Sequence, residues 1–166
     1  MGREGDLVAE RLARGCRCFG AWLGGEVVAY GWLSSRAEWI GELRLEIQPG
    51  TGEAYVWNCV TLPAHRNQGI FRTLLLSIAG QARKEGLVRL WIGSIGRVGE
   101  KAVADGGFHP VLSIDVVSLL WLRRVTVRAA LGADPGSIAA ARRVLAGRGR
   151  PLPLSSSVRY ARSRRH

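Results

Sequence analysis

The stretch from Glu53 to Lys84 constrains the fold of this chain more than any other. An apolar β-type run, Glu53 to Thr61, stops at Pro63 and turns through Arg66-Asn67-Gln68-Gly69. It leads at once into Ile70, Leu74, Leu75, Ile78 and Ala82, a stripe at helical spacing that Gly86 terminates. A short apolar run, Leu87 to Ile92, follows. Strand, helix and strand in this order predict a crossover unit whose two strands lie parallel in a mixed sheet. The turn has a chemistry of its own. A helix starting near Gln68 or Gly69 leaves its first N–H groups without partners at the positive end of the dipole, which suits a pyrophosphate. Gly69 lets the backbone approach such an anion, and Arg66 adds a planar fork of donors. Taken by itself, an Arg-x-x-Gly turn is more often an ordinary strand-to-helix connection.

The flanking sequence supplies the rest of a sheet. Gly5 to Ala13 reads as a short helix ending at Gly15. Arg17 to Leu23 and Glu26 to Leu33 read as strands joined at Gly24-Gly25. Trp39 falls in a polar insertion, Leu43, Leu45 and Ile47 alternate with polar residues, and Pro49-Gly50-Thr51-Gly52 reverses the chain, so the first half reads as an antiparallel meander. Further on, Gly99 to Asp105 predicts a helix, Phe108 to Leu122 β structure, and Pro135 to Ala146 another helix. The division expected is a short N-terminal helix over 1–15, a core over 16–128, a helical extension over 129–154 and a basic, mobile tail over 155–166.

Composition narrows the partners. A chain of 166 residues that is 47% hydrophobic suits one domain with a substantial core. Its net charge of +11 favours anionic partners. Only Lys84 and Lys101 are lysines, so the excess is almost all arginine, which also fits a compositional bias. Nucleic acid ranks last among the partners, because basic and aromatic residues do not interleave and no recognition motif is present. Cys16, Cys18 and Cys59 form no paired framework, and His65, His109 and His166 have no metal-type spacing, so structural thiols and no metal are expected. The longest apolar run, Val111 to Leu122, is broken by Asp115 and is short of a bilayer. With a polar N-terminus, the expectation is a cytoplasmic protein without membrane contact.

Three segments in order resemble the GNAT acyltransferase superfamily, which moves acyl groups from coenzyme A to amines. Phe19 to Gly31 is similar to its early hairpin, Thr61 to Phe71 to its cofactor loop, and Ala102 to Phe108 to the helix and turn before its sixth strand. The resemblance spans roughly Cys16 to Ser113 and implies a mixed α/β fold with a mostly antiparallel central sheet flanked by helices. It implies acetyl-CoA as acyl donor, with the backbone of Val60 and Thr61 along the pantetheine arm. Arg66 and Asn67, together with Gln68, Gly69, Ile70, Phe71 and Arg72, would then hold the pyrophosphate. It also marks departures. Val103 stands where a Tyr often protonates the leaving thiolate, and Met1 to Gly15 is short for the usual first strand and acceptor helices. The start lies upstream, or a second copy completes the sheet in a homodimer, or the fold is trimmed.

An attacking amine must lose a proton, and a thiolate benefits from gaining one. By strand alternation Glu53, Tyr55, Trp57 and Cys59 share one face, with Asn58 opposite and able to reach the pantetheine only through a bulge. Glu53 is the first candidate base, and Tyr55 positions water or donates to the thiolate. Equally, Glu53 starts a strand beside a turn and Tyr55 is core. The function expected is acetyl transfer from acetyl-CoA to a primary amine by direct attack. The alternatives are a catalytically silent CoA-binding module and, last, a nucleic-acid-binding protein.

Overall fold

The computed structural model describes residues 2–41, 43–119 and 122–145. The tail expected over 155–166, and the end of the extension before it, lie outside these residues.

Helix α1 (Gly2–Ala13) leads into β1 (Arg17–Leu23) and β2 (Glu26–Ser34), an antiparallel pair in which Arg17 faces Leu33 and Leu23 faces Glu26. After β3 (Glu38–Ile40) and β4 (Leu45–Ile47), β5 (Glu53–Thr61) pairs antiparallel with β2. A 3-10 turn, Pro63–His65, opens the connection to α2 (Ile70–Lys84), and β6 (Arg89–Ile92) returns parallel to β5. The main sheet has the order β1-β2-β5-β6, mostly antiparallel with one parallel pair. α3 (Gly96–Asp105), the hairpin β7 (Leu112–Leu119) and β8 (Leu122–Ala129), and α4 (Pro135–Leu145) complete the described chain.

Three expectations change. The polar insertion around Trp39 is strand β3, which pairs with β4, so Leu45 and Ile47 belong to a separate hairpin and not to the meander. The β structure expected over Phe108 to Leu122 holds β7 and only the first residue of β8, and no ladder joins β7 or β8 to the main sheet among the described residues. The third concerns β5, where alternation fails. Tyr30 pairs with Val60 and Trp32 with Trp57, so β5 carries one residue more than β2 across the same interval. Asn58, at φ 45°, is the bulged residue. Cys59 therefore leaves the face of Tyr55 and Trp57 and packs against the α2 core. A Cβ on Gly31 would stand 2.7 Å from the Cys59 sulfur, so the bulge requires a glycine opposite it.

Two cores clamp the sheet. On one face the α2 stripe Leu74, Leu75 and Ile78 is buried against Ala29, Leu33, Ala54 and Val56. Burying each of these larger α2 side chains contributes about 1.5–3 kcal/mol, enough to fix α2 on β5 and so aim its start. On the other face Ile47, Tyr55 and Val144 pack with Ile40, Trp57 and Trp91, bringing the β3–β4 hairpin and α4 together. A backbone bond from Gln48 N to the Val144 carbonyl, 2.8 Å, joins these two covers.

Candidate active site

The ladder between β5 and β6 is short. It runs from Glu53–Arg89 to Val56–Ile92 and stops, while β5 continues to Thr61. Over that stretch β5 keeps its bonds to β2 on one edge only. The opposite edge from Trp57 to Thr61, the wedge between β5 and the end of β6, has no ladder among the described residues, and its backbone N–H and C=O groups can receive an extended ligand.

The wedge leads to the start of α2. Arg66 donates from Nε to the Thr61 carbonyl at 3.2 Å, and Gln68 donates to the Ala64 carbonyl at 3.3 Å, so the turn is pinned to its own backbone. Asn67 and Gly69 both have positive φ, 61° and 75°. Gly69 is the N-cap, with no side chain capping the helix. The first helical bond closes at Thr73 N to Gly69 O, 3.0 Å. The N–H groups from Gly69 to Arg72 thus have no intrahelical acceptor. A Cβ at Gly69 would meet nothing within 4 Å, so the approach to these amides is clear. This arrangement fits a diphosphate. Arg72 does not point its Nε at the cradle; it donates to the Asp105 carbonyl at 2.9 Å and ties α2 to the end of α3. Beside the cradle lies an open cavity of about 400 Å³ lined by Asn67, Arg97, Val98, Lys101, Ala102 and Asp105. Arg97 and Lys101 carry no sequence motif, and only the docking of α3 beside the loop reveals them.

Glu53 is placed differently from the expectation. It is 3% exposed at the closed end of β5, where the ladder to β6 is intact. Its carboxylate accepts from Arg143 at 2.8 Å, Arg89 at 2.9 Å, Trp91 Nε1 at 3.0 Å and Gly50 N at 3.1 Å. Burial by itself would raise its pKa, but the donors from Trp91, Gly50, Arg143 and Arg89 outweigh it and hold the carboxyl at about 2. A carboxylate so saturated and so weakly basic joins β5, β6 and α4; it does not suit proton removal at neutral pH. The sequence showed the carboxylate but not the three donors that converge on it from 36 to 90 residues away.

Tyr55 is 7% exposed in the lower core and pairs with Trp91 across the ladder. Its hydroxyl lies 3.5 Å from the position of a Cβ on Gly93, the residue that follows β6. Tyr55 therefore stands near the point where β6 leaves β5. The Cys59 thiol is pushed up to about 11 by burial, which keeps it protonated and unsuited to covalent catalysis. Among the described residues no group of His, Cys, Asp or Glu is placed to hold a metal ion.

A mixed sheet whose parallel pair stops short of an uncapped helix start is the layout that an acyl-CoA-dependent acyltransferase requires. The sequence matches the acetyltransferase (GNAT) family over residues 3–103, more than half of its length, and the chain belongs to that family. No curated protein matches it. Among solved structures it is similar to a protein of Agrobacterium tumefaciens assigned to the acetyltransferases, at 23% identity over 66% of this chain and 73% of that one, with TM-score 0.51. It is also similar to AAC(6')-Iy in complex with the bisubstrate analog CoA-S-monomethyl-acetylneamine, at 12% identity over 74% and 81% of the two chains and TM-score 0.51. These two likenesses show the fold. A Bacillus subtilis acetyltransferase in complex with CoA is a looser likeness, at 19% identity over 69% and 64% of the two chains and TM-score 0.48. The membership makes the chain an N-acetyltransferase. Among the described residues no helix is long and apolar enough to cross a membrane.

Proposed function

We propose that this chain transfers acetyl from acetyl-CoA to a primary amine, on a small molecule or exposed on a protein, by direct attack. One observation carries the reading: β5 outruns its ladder to β6 and then feeds an uncapped helix start. An extended thioester arm needs the first feature and a diphosphate the second. The backbone of Val60 and Thr61 would take the arm, and Arg66, Asn67, Gln68, Gly69, Ile70, Phe71 and Arg72 would surround the diphosphate. When bound, acetyl-CoA supplies an acyl carbon activated as a thioester.

The chain's own residues position groups and handle protons. Glu53, saturated and distant from the wedge, serves as a strut and not as the base. The Tyr55 hydroxyl stands beside Gly93, where β6 leaves β5, and it takes the role of proton donor to the departing sulfur that Val103 cannot fill. The amine proton then leaves to water, so turnover rises with pH until the amine is neutral. The partly buried Cys59, its thiol held protonated, supports direct attack over an acyl-enzyme.

Calorimetry with acetyl-CoA tests the cradle. Gly69→Pro replaces a φ of 75° by one near −65°, which turns the helix-start amides away from a common point. The affinity should fall at least about tenfold while the unfolding transition moves only a few degrees, since the position is open and surface-exposed. Unchanged affinity in a folded variant removes the reading.

A further inference from the structure

A second cluster stands at the bulge, on the face away from α2. The guanidinium carbon of Arg11, on α1, lies 4.5 Å from the ring centroid of Trp57 and 5.1 Å from that of Trp32. The two indoles are themselves 6.3 Å apart, tilted by 37°. The Asn58 amide, with its oxygen turned to Arg11, accepts from both terminal nitrogens at 2.8 and 3.3 Å. So one arginine is held in place by two aromatic faces and a neutral acceptor, next to the residue that opens the wedge.

Two features of this cluster ask for an acceptor it does not contain. The described ion pairs all use other cations, so Arg11 has no acidic partner among the described residues. The indole N–H of Trp57 is buried without a hydrogen-bond partner. A purely structural tie between α1 and the sheet is served by the stacking alone. It leaves the guanidinium without a counter-charge among the described residues and the Trp57 N–H, on the ring it covers, without an acceptor; a buried donor left so costs stability unless a ligand completes it.

We propose that this cluster selects the acceptor, and that the amine substrate carries a carboxylate which Arg11 binds, with the Trp57 N–H completing its hydrogen bonds. This rests on the acyltransferase reading. It makes amino-acid-type amines the substrate class, and Arg11 the specificity-determining residue. A polycationic amine would meet an unpaired guanidinium at the same point and be repelled.

The experiment compares amino acids with their own carboxamides as acceptors, with acetyl-CoA as donor, in the wild type and in Arg11→Met, whose side chain still covers the indoles. The wild type should favour the acid by about tenfold or more in kcat/KM, as a site built to hydrogen-bond one group rejects an analogue lacking it. Arg11→Met should erase the preference, and Arg11→Lys should keep part of it. Equal use of acid and carboxamide by the wild type, or a preference that survives in Arg11→Met, overturns the proposal. Tryptophan fluorescence titrated with the N-acetyl amino acids and N-acetyl amino acid amides reads the same discrimination without turnover. Acid-selective quenching that needs Arg11 supports the assignment, and its absence overturns it. Acetyl-CoA affinity, measured separately, reports on the underlying reading.

Discussion

Replacing Glu53 by Gln separates a strut from a base. In the folded chain the carboxyl is held at about 2 against an ordinary 4.5. At about 1.4 kcal/mol per pH unit, that difference is worth about 3 kcal/mol at neutral pH. It is an upper value, because the Arg143 side chain is 61% exposed and recovers water when its partner is lost. For a chain of 166 residues this corresponds to a fall in Tm of about 5–10 °C. The pH dependence has a definite sign. A folded-state pKa below the unfolded value gives stabilisation that is complete above 4.5 and is lost as pH falls through about 2. Thermal unfolding followed by circular dichroism should therefore show the wild type and Glu53→Gln far apart at pH 7, converging between pH 4.5 and 2. Turnover below the transition should be little changed, since the carboxylate does not face the wedge. A variant as stable as the wild type at pH 7 but strongly impaired in turnover would refute the strut and restore the base.

Tyr55→Phe should lower kcat by about 10- to 100-fold, the effect of losing a positioned proton donor, with acetyl-CoA affinity preserved; unchanged kcat in steady-state assays would leave Tyr55 as core only. Gly31→Ala should destabilise by about 1–3 kcal/mol, because its Cβ would stand 2.7 Å from the Cys59 sulfur. Cys59→Ala in the same chain should recover most of that loss, and additive effects in denaturant titrations would sink the explanation.

The elements with strong periodicity were legible. β5 runs from Glu53 to Thr61 as its composition implies, α2 starts one residue after the glycine that marks it, and β1 and β2 meet at Gly24-Gly25. What failed was whatever depends on partners distant in sequence. Trp39 falls in a polar insertion after the first hairpin, yet it is in a strand because Glu46 faces it across β3–β4. The side of Cys59 could not be read from alternation, because the bulge at Asn58 depends on Gly31 in another strand. Glu53 looked like a base for the same reason: its position on β5 was visible, whereas the arginines of β6 and α4 that saturate it were not. The turn from Arg66 to Gly69 and the helix start after it were the most readable stretch because their parts are consecutive residues, so local geometry suffices to bring them together. Arg11 escaped attention because nothing in α1 announces which indoles it will cover.

The contact between Gly31 and Cys59 also decides how this enzyme can change its acyl donor. Space for a longer acyl chain has to come from one side of β5 or the other. Toward β2 the strand is locked, since the sulfur already fills the place of the missing Cβ. Toward β6 the pairing ends at Ile92, and Gly93 follows, where a Cβ would meet only the Tyr55 hydroxyl, at 3.5 Å. With the thioester placed as proposed, donor range is tested by substitutions at Gly93 and its neighbours. Attempts to broaden it from β2 will lose the bulge before they gain any room.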